Sequence, residues 1–88
     1  MKYDNDTIER IRAIPIADML GVQMVSRYKM IQCPFHDDSS PSFKLNDDNS
    51  FYCFGCDAVG WNFIDFLLLG PNGNTYSFNQ IYDEFKNG

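Results

Sequence analysis

Apolar residues recur at helical spacing near both ends of the chain, and the middle alternates. Asp6-Thr7-Ile8-Glu9 has the form of a helix start, with Asp6 as the cap and Glu9 closing a capping box. Ile8 and Ile11 then share a face, and Arg10 and Arg12 point elsewhere. Pro15 suits the first position of a second short helix, which Gly21 ends, with Ile16, Met19 and Leu20 as its buried side. Toward the other end, Asn62 predicts a cap with Asp65 in the first turn. Phe63, Phe66 and Leu67 form one stripe there, widened by Ile64 and Leu68 into a mostly buried helix. Gly70 stops it, and Pro71-Asn72-Gly73-Asn74 reads as a loop. Ser77 and Gln80 make a second capping box, and Tyr76 and Ile81 can staple it. Phe78, Ile81, Tyr82 and Phe85 line one face of that last helix.

Between these helices the pattern turns to strands. Val22 to Gln32 is rich in β-formers, but the alternation breaks at Val25. One or two strands are expected, with a turn or bulge near Ser26 and Arg27. Ser42 to Leu45 alternates, with Phe43 and Leu45 on one side and Lys44 on the outer one. Asn46-Asp47-Asp48-Asn49 is a turn without the spacing of a calcium loop. Ser50 to Tyr52 returns as the partner strand, and Gly60 breaks the chain. The sum is an α+β domain: an antiparallel β-sheet flanked by short helices. Residues 1–21 hold the first helices, 22–56 the sheet, and 61–86 two closing helices.

At 88 residues the chain is long enough for one domain, 1–88, and too short for a primase, polymerase or nuclease catalytic domain. A core of this size supplies only a few kcal/mol, and natural domains this small often add a metal or disulfides. Seven basic and twelve acidic residues give a formal charge of -5, which excludes a strongly basic nucleic-acid binder. The longest apolar stretch, Phe66 to Leu69, is far too short to span a membrane. No secretion signal is read at the start, so Asn5-Asp6-Thr7 is taken as a chance glycosylation pattern and a cytoplasmic location is expected. Three cysteines cannot all pair within one chain.

Cys33, His36, Cys53 and Cys56 explain that odd count. Two residues separate the cysteine from the histidine, sixteen residues follow, and then come two cysteines with the same short spacing. Each short pair reaches one side of a tetrahedral site, and the hairpin between brings the pairs together. Three thiolates and one imidazole suit Zn2+, and four protein ligands leave no open position, so the site is structural. Gly55 is expected to permit the tight turn that aims two sulfurs at one ion. Phe35, Phe43 and Phe54 are expected behind the metal, excluding water. Asp37 or Asp38 either hydrogen-bonds the His36 ring or belongs to a solvated loop. Three thiolates and one divalent ion take the charge from -5 to -6. A redox Cys-x-x-Cys pair is the poorer reading, because no larger α/β domain surrounds it.

These motifs resemble the amino-terminal zinc-binding domain of bacterial and phage DNA primases of the DnaG type. The shared residues are Cys33-Pro34-Phe35-His36, the acidic Asp38, Pro41-Ser42-Phe43, Cys53-Phe54-Gly55-Cys56 and Gly60. Ile14 to Gly21 and Ser77 to Phe85 resemble the family's flanking helices, so the likeness covers nearly the whole chain. Where the family has aspartate after its glycine, this chain has Trp61, and one inserted residue restores the register at Asn62, Asp65 and Phe66. Met30 and Ile31 stand where the family has a glycine before its first cysteine. The resemblance implies a zinc ribbon that helps a primase engage single-stranded DNA template. It implies a separate polymerase domain that carries catalysis, so this chain is not an enzyme alone and is either an excised domain or a free-standing relative.

If it holds a single strand, Arg27, Lys29 and Lys44 are the candidates for phosphates, with Tyr28, Phe51 and Tyr52 for bases. Arg27 and Lys29 share a side only if Tyr28 faces away. Trp61 is expected half-buried at its helix start. The competing function is a docking or regulatory module for a primase, helicase or other replication protein, marked by an apolar patch at Trp61, Met19 or Met24 and an acidic surface. A small zinc scaffold that has lost its binding is the third reading. A monomer with no membrane contact is expected. Asp47 and Asp48 are read as solvated, not as a catalytic pair.

Overall fold

The computed structural model describes residues 3–37 and 40–87. Helix α1 (Asn5–Arg12) leads into α2 (Ile16–Leu20), and four strands follow: β1 (Tyr28–Ile31), β2 (Phe43–Asn46), β3 (Phe51–Cys53) and β4 (Val59–Gly60). Helix α3 (Phe63–Leu68), a 3-10 turn (Pro71–Gly73) and α4 (Phe78–Phe85) close the chain. The strands form one antiparallel sheet in sequence order, so the expected α+β architecture with flanking helices is the fold.

The helices obey their caps. Ser77 and Gln80 form the complete capping box of α4. The Asn62 side chain accepts from the Asp65 N–H at 3.0 Å and starts α3, and Gly21 ends α2 in the left-handed region. The first cap lies two residues earlier than Asp6. Asp4 accepts from the Thr7 N–H at 3.0 Å, Asp6 falls inside the first turn, and Glu9 pairs with Arg12 at 3.1 Å instead of closing a box. Pro15 caps α2 rather than opening it.

One strand, not two, forms between Val22 and Gln32. Val25 is 79% exposed, and the Val22 N–H is spent on the Ala17 carbonyl closing α2. Strand β4 was not expected, because two residues ending in glycine carry no alternation. Gly60 does not break the chain there; it is buried in the sheet opposite Phe51. A methyl group on Gly60 would collide with the Phe51 ring and lie 2.9 Å from the Asp65 Cβ.

The inner sheet face carries Phe43, Leu45, Phe51 and Cys53, all at most 2% exposed. Phe35, Phe43, Phe51 and Phe66 pack ring on ring, with centroids 5.2 to 6.4 Å apart. Ile11, Ile16, Phe63, Leu67 and Ile81 continue this core among the helices. Leu68 lies outside the stripe it was assigned to and is exposed, because the helix turns it away from the sheet. Asn49, in the left-handed region at φ 77, ties the β2–β3 turn to the helices. Its side chain donates to the Ile14 carbonyl at 2.7 Å and accepts from the Ile16 N–H at 3.0 Å.

Candidate metal centre

The first knuckle leaves β1, and the second continues β3. Their lateral distance is set by the β2 pairing on either side, Ile31 to Phe43 and Phe43 to Cys53. A third anchor is the Asn72 N–H, which donates to the Pro34 carbonyl at 2.6 Å and holds the first knuckle against the loop after α3. Cys33 and Cys53 are buried, His36 is half-buried and Cys56 is exposed.

One donor atom from each of Cys33, His36, Cys53 and Cys56 lies within 4.8 Å of the other three. The Cys33 and Cys56 sulfurs are 3.8 Å apart. Zinc–sulfur bonds of about 2.3 Å at a tetrahedral angle put two sulfurs about 3.8 Å apart. The chemistry agrees with the geometry. Burial, foremost, pushes the Cys33 thiol up to about 12. Burial also raises Cys53, but Ser42, the Cys56 and Gly55 backbone and Cys33 together outweigh it, bringing that thiol to about 7. A buried thiolate such as Cys33 needs a compensating cation, and a bound divalent ion supplies it by deprotonating the thiol outright. The cluster fits a single structural Zn2+.

Backbone and hydroxyl donors surround the sulfurs. The Phe35 N–H donates to Cys33 Sγ at 3.4 Å, the Gly55 N–H to Cys53 Sγ at 3.3 Å, and Ser42 Oγ lies 3.5 Å from Cys53 Sγ. Ser42 was visible in the Pro41-Ser42-Phe43 motif without a role attached to it. Gly55 sits where space is tight rather than where backbone freedom is required. Its φ is outside the left-handed region, whereas an added Cβ would sit 3.1 Å from His36 Nε2 and 3.0 Å from Ser42 Oγ. Phe35 and Phe43 pack into the aromatic core beside the knuckles, but Phe54 does not. Cys53 points inward, so Phe54 turns out, 63% exposed, with its ring 4.9 Å from that of Tyr52. Asp37 is exposed, and Asp38 lies outside the described residues.

The register sorts the candidate nucleic-acid residues. Met30, Lys44, Tyr52 and Val59 are cross-strand neighbours and share the outer sheet face. Tyr28 is on that face too, with the Lys44 Nζ 4.6 Å from its ring centroid. Lys29 pairs with Leu45 and so leaves β1 on the opposite side, while Arg27 sits in the bend before the strand. Phe51 is 2% exposed and belongs to the core. Asp57, which the sequence did not single out, accepts from the Tyr52 hydroxyl at 2.6 Å and raises its pKa. Its φ of 62 has no side-chain signature that would have marked it. Trp61 is not half-buried. Its backbone N–H donates to the Asp65 carboxylate at 3.0 Å, and its side chain is left 64% exposed.

A small antiparallel sheet with a closed three-cysteine, one-histidine cluster at its end defines a zinc ribbon. The family model described as the CHC2 zinc finger matches residues 5–86, and the chain belongs to that family. It is similar to the DNA primase of Escherichia coli, at 57% identity over 85 residues, covering 93% of this chain and 14% of that protein. The DNA primase of Salmonella typhimurium is 40% identical over 85 residues, and that of Synechocystis 41% over 82. The chain thus spans only 13–14% of the length of these three relatives. It corresponds to the zinc-binding module of the primases. Among the described residues, no helix is long and apolar enough to cross a membrane.

Proposed function

We propose that the chain engages single-stranded DNA template for primer synthesis by a separate polymerase domain in the cytoplasm, with Cys33, His36, Cys53 and Cys56 holding the zinc. The observation that carries this reading is the outer sheet face, where Lys44 stands beside both Tyr28 and Tyr52. Lys44 meets a phosphate, and the two tyrosine rings take bases, each stacked base contributing about 1–3 kcal/mol. The Asp57 bond fixes the Tyr52 ring before any ligand arrives, so little rotamer freedom is lost on binding. Arg27, in the bend before β1, adds a phosphate contact along the strand's path, whereas Lys29 leaves β1 on the opposite side and adds none there. Two contacts at most give a shallow salt dependence, with a logarithmic slope of about -1.4.

The test titrates the zinc-loaded chain into a random pool of labelled single-stranded oligonucleotides, following anisotropy at low and then moderate salt. Saturable binding is expected, weakened by salt and about tenfold weaker in Lys44→Glu. No binding at low salt sinks the proposal.

A further inference from the structure

A second exposed surface lies across the edge of the sheet from Lys44. Val59, Trp61, Leu68 and Leu69 are 46%, 64%, 45% and 47% exposed and border a groove of about 450 Å³ between β4 and α3. Trp61 also walls the hollows on its other sides, of about 420 and 390 Å³, so its side chain stands as a ridge. Four large apolar side chains in one place are costly to leave in water and mark an interaction site. Asp65, Leu68 and Leu69 follow the i, i+3, i+4 spacing, which makes a single ridge along α3 for another helix to pack against. Strand β4 has two residues, too few to template an added strand.

The charge of the groove selects between protein and nucleic acid. Its lining holds the Asp65 carboxylate and no lysine or arginine; of the hollows flanking Trp61, one adds Asp48 and the other Arg12. Phosphates are repelled there, and a chain of formal charge -5 favours a cationic partner. We propose that this groove docks an amphipathic helix of a protein partner, apolar toward Trp61 and Leu68 and basic along its flanks. The groove meets the outer sheet face at Val59, but its lining holds Trp61, Leu68 and Leu69 and not Lys44, so it does not depend on the template reading.

Trp61 is the single tryptophan, so its emission reports the groove directly. The probe is a synthetic amphipathic helix of leucine and lysine, added to the zinc-loaded chain. A scrambled peptide of the same composition and oligothymidylate serve as controls. A saturable blue shift with the amphipathic peptide alone is expected. Leu68→Ser with Leu69→Ser should weaken it about tenfold, and Lys44→Glu should leave it unchanged. Both leucines are exposed, so the double variant keeps its fold, which its circular dichroism checks. Absence of a shift overturns the proposal. So does equal binding of the scrambled peptide, which would reduce the contact to charge. A Trp61 response to oligothymidylate that Leu68→Ser and Leu69→Ser abolish would make the groove a nucleic-acid platform. Self-association that buries Trp61 without peptide would make it a homodimer contact.

Discussion

At one end of the sheet, four polar donors converge from two knuckles. At the other, Ile11, Phe63, Leu67 and Ile81 pack three helices together without a metal. The helical end is locally specified: each helix carries its own cap, and Arg10 donates to the Lys86 carbonyl at 2.8 Å to tie α1 to the end of α4. The knuckles hold almost no regular structure of their own. They are fixed by the β2 pairings, by Asn72 on Pro34, and by whatever neutralises three thiols. The difference shows why a chain this small needs an ion. Packing alone completes the helical end, but the far end has ligands where a larger domain would have core.

The largest test removes the ion. Structural zinc contributes about 10–16 kcal/mol in small domains, against a total stability of about 5–15 kcal/mol. The two ends share the rings of Phe35, Phe51 and Phe66, so the loss should not stay local. Chelation of zinc, or Cys53→Ser, is expected to abolish amide dispersion in β2 and β3 and to cost most of the helical circular dichroism as well. A helical signal that survives intact would refute the coupling through those rings and sharpen the comparison, because the helical end would then be a folding unit of its own.

A smaller perturbation sits on the seam between the ends. Gly60→Ala drives a methyl group into the Phe51 ring, with the Asp65 Cβ leaving no retreat on the other side. Overpacking of this kind costs about 1–3 kcal/mol. At this size each kcal/mol moves the melting temperature by about 4–8 °C. The zinc-loaded variant should therefore melt well below the parent while still binding one ion. An unchanged melting temperature would mean that the Phe51 ring turns aside and that the seam is looser than its packing suggests.

The two ends also differ in how far the sequence announces them. The ligand set was legible because only four residues have the right chemistry and their spacing closes a tetrahedron. The caps at Asn62 and Ser77 were legible because a side chain and a partner three residues on define them locally. What escaped notice was non-local. Strand β4 exists because Phe51 offers a flat ring to a residue without a side chain, and Asn49 matters because a turn meets a helix link far along the chain. Phe54 was expected behind the metal and Trp61 half-buried, yet the inward direction of Cys53 and the fully occupied stripe of α3 leave both outside.

The smallest prediction concerns the cap of α1, which local reasoning misplaced. Asp4 and Asp6 both precede an apolar helical pattern, and both have an acidic or polar residue three positions on, so sequence alone does not separate them. The structure does. Asp4 accepts from both the backbone and the hydroxyl of Thr7, at 3.0 and 2.9 Å, and its own N–H donates to the Tyr82 hydroxyl at 3.0 Å. Asp6 is exposed within the first turn, where its charge meets only the helix dipole. Asp4→Ala should cost about 1 kcal/mol, the usual value of a lost N-cap, whereas Asp6→Ala should cost a few tenths. Thermal melts of the two zinc-loaded variants measure the difference. Equal losses would mean that α1 frays to a start at Asp6 in solution. The link from Asp4 to Tyr82 would then be too weak to hold the first turn, and the helical end would be less locally specified than its caps imply.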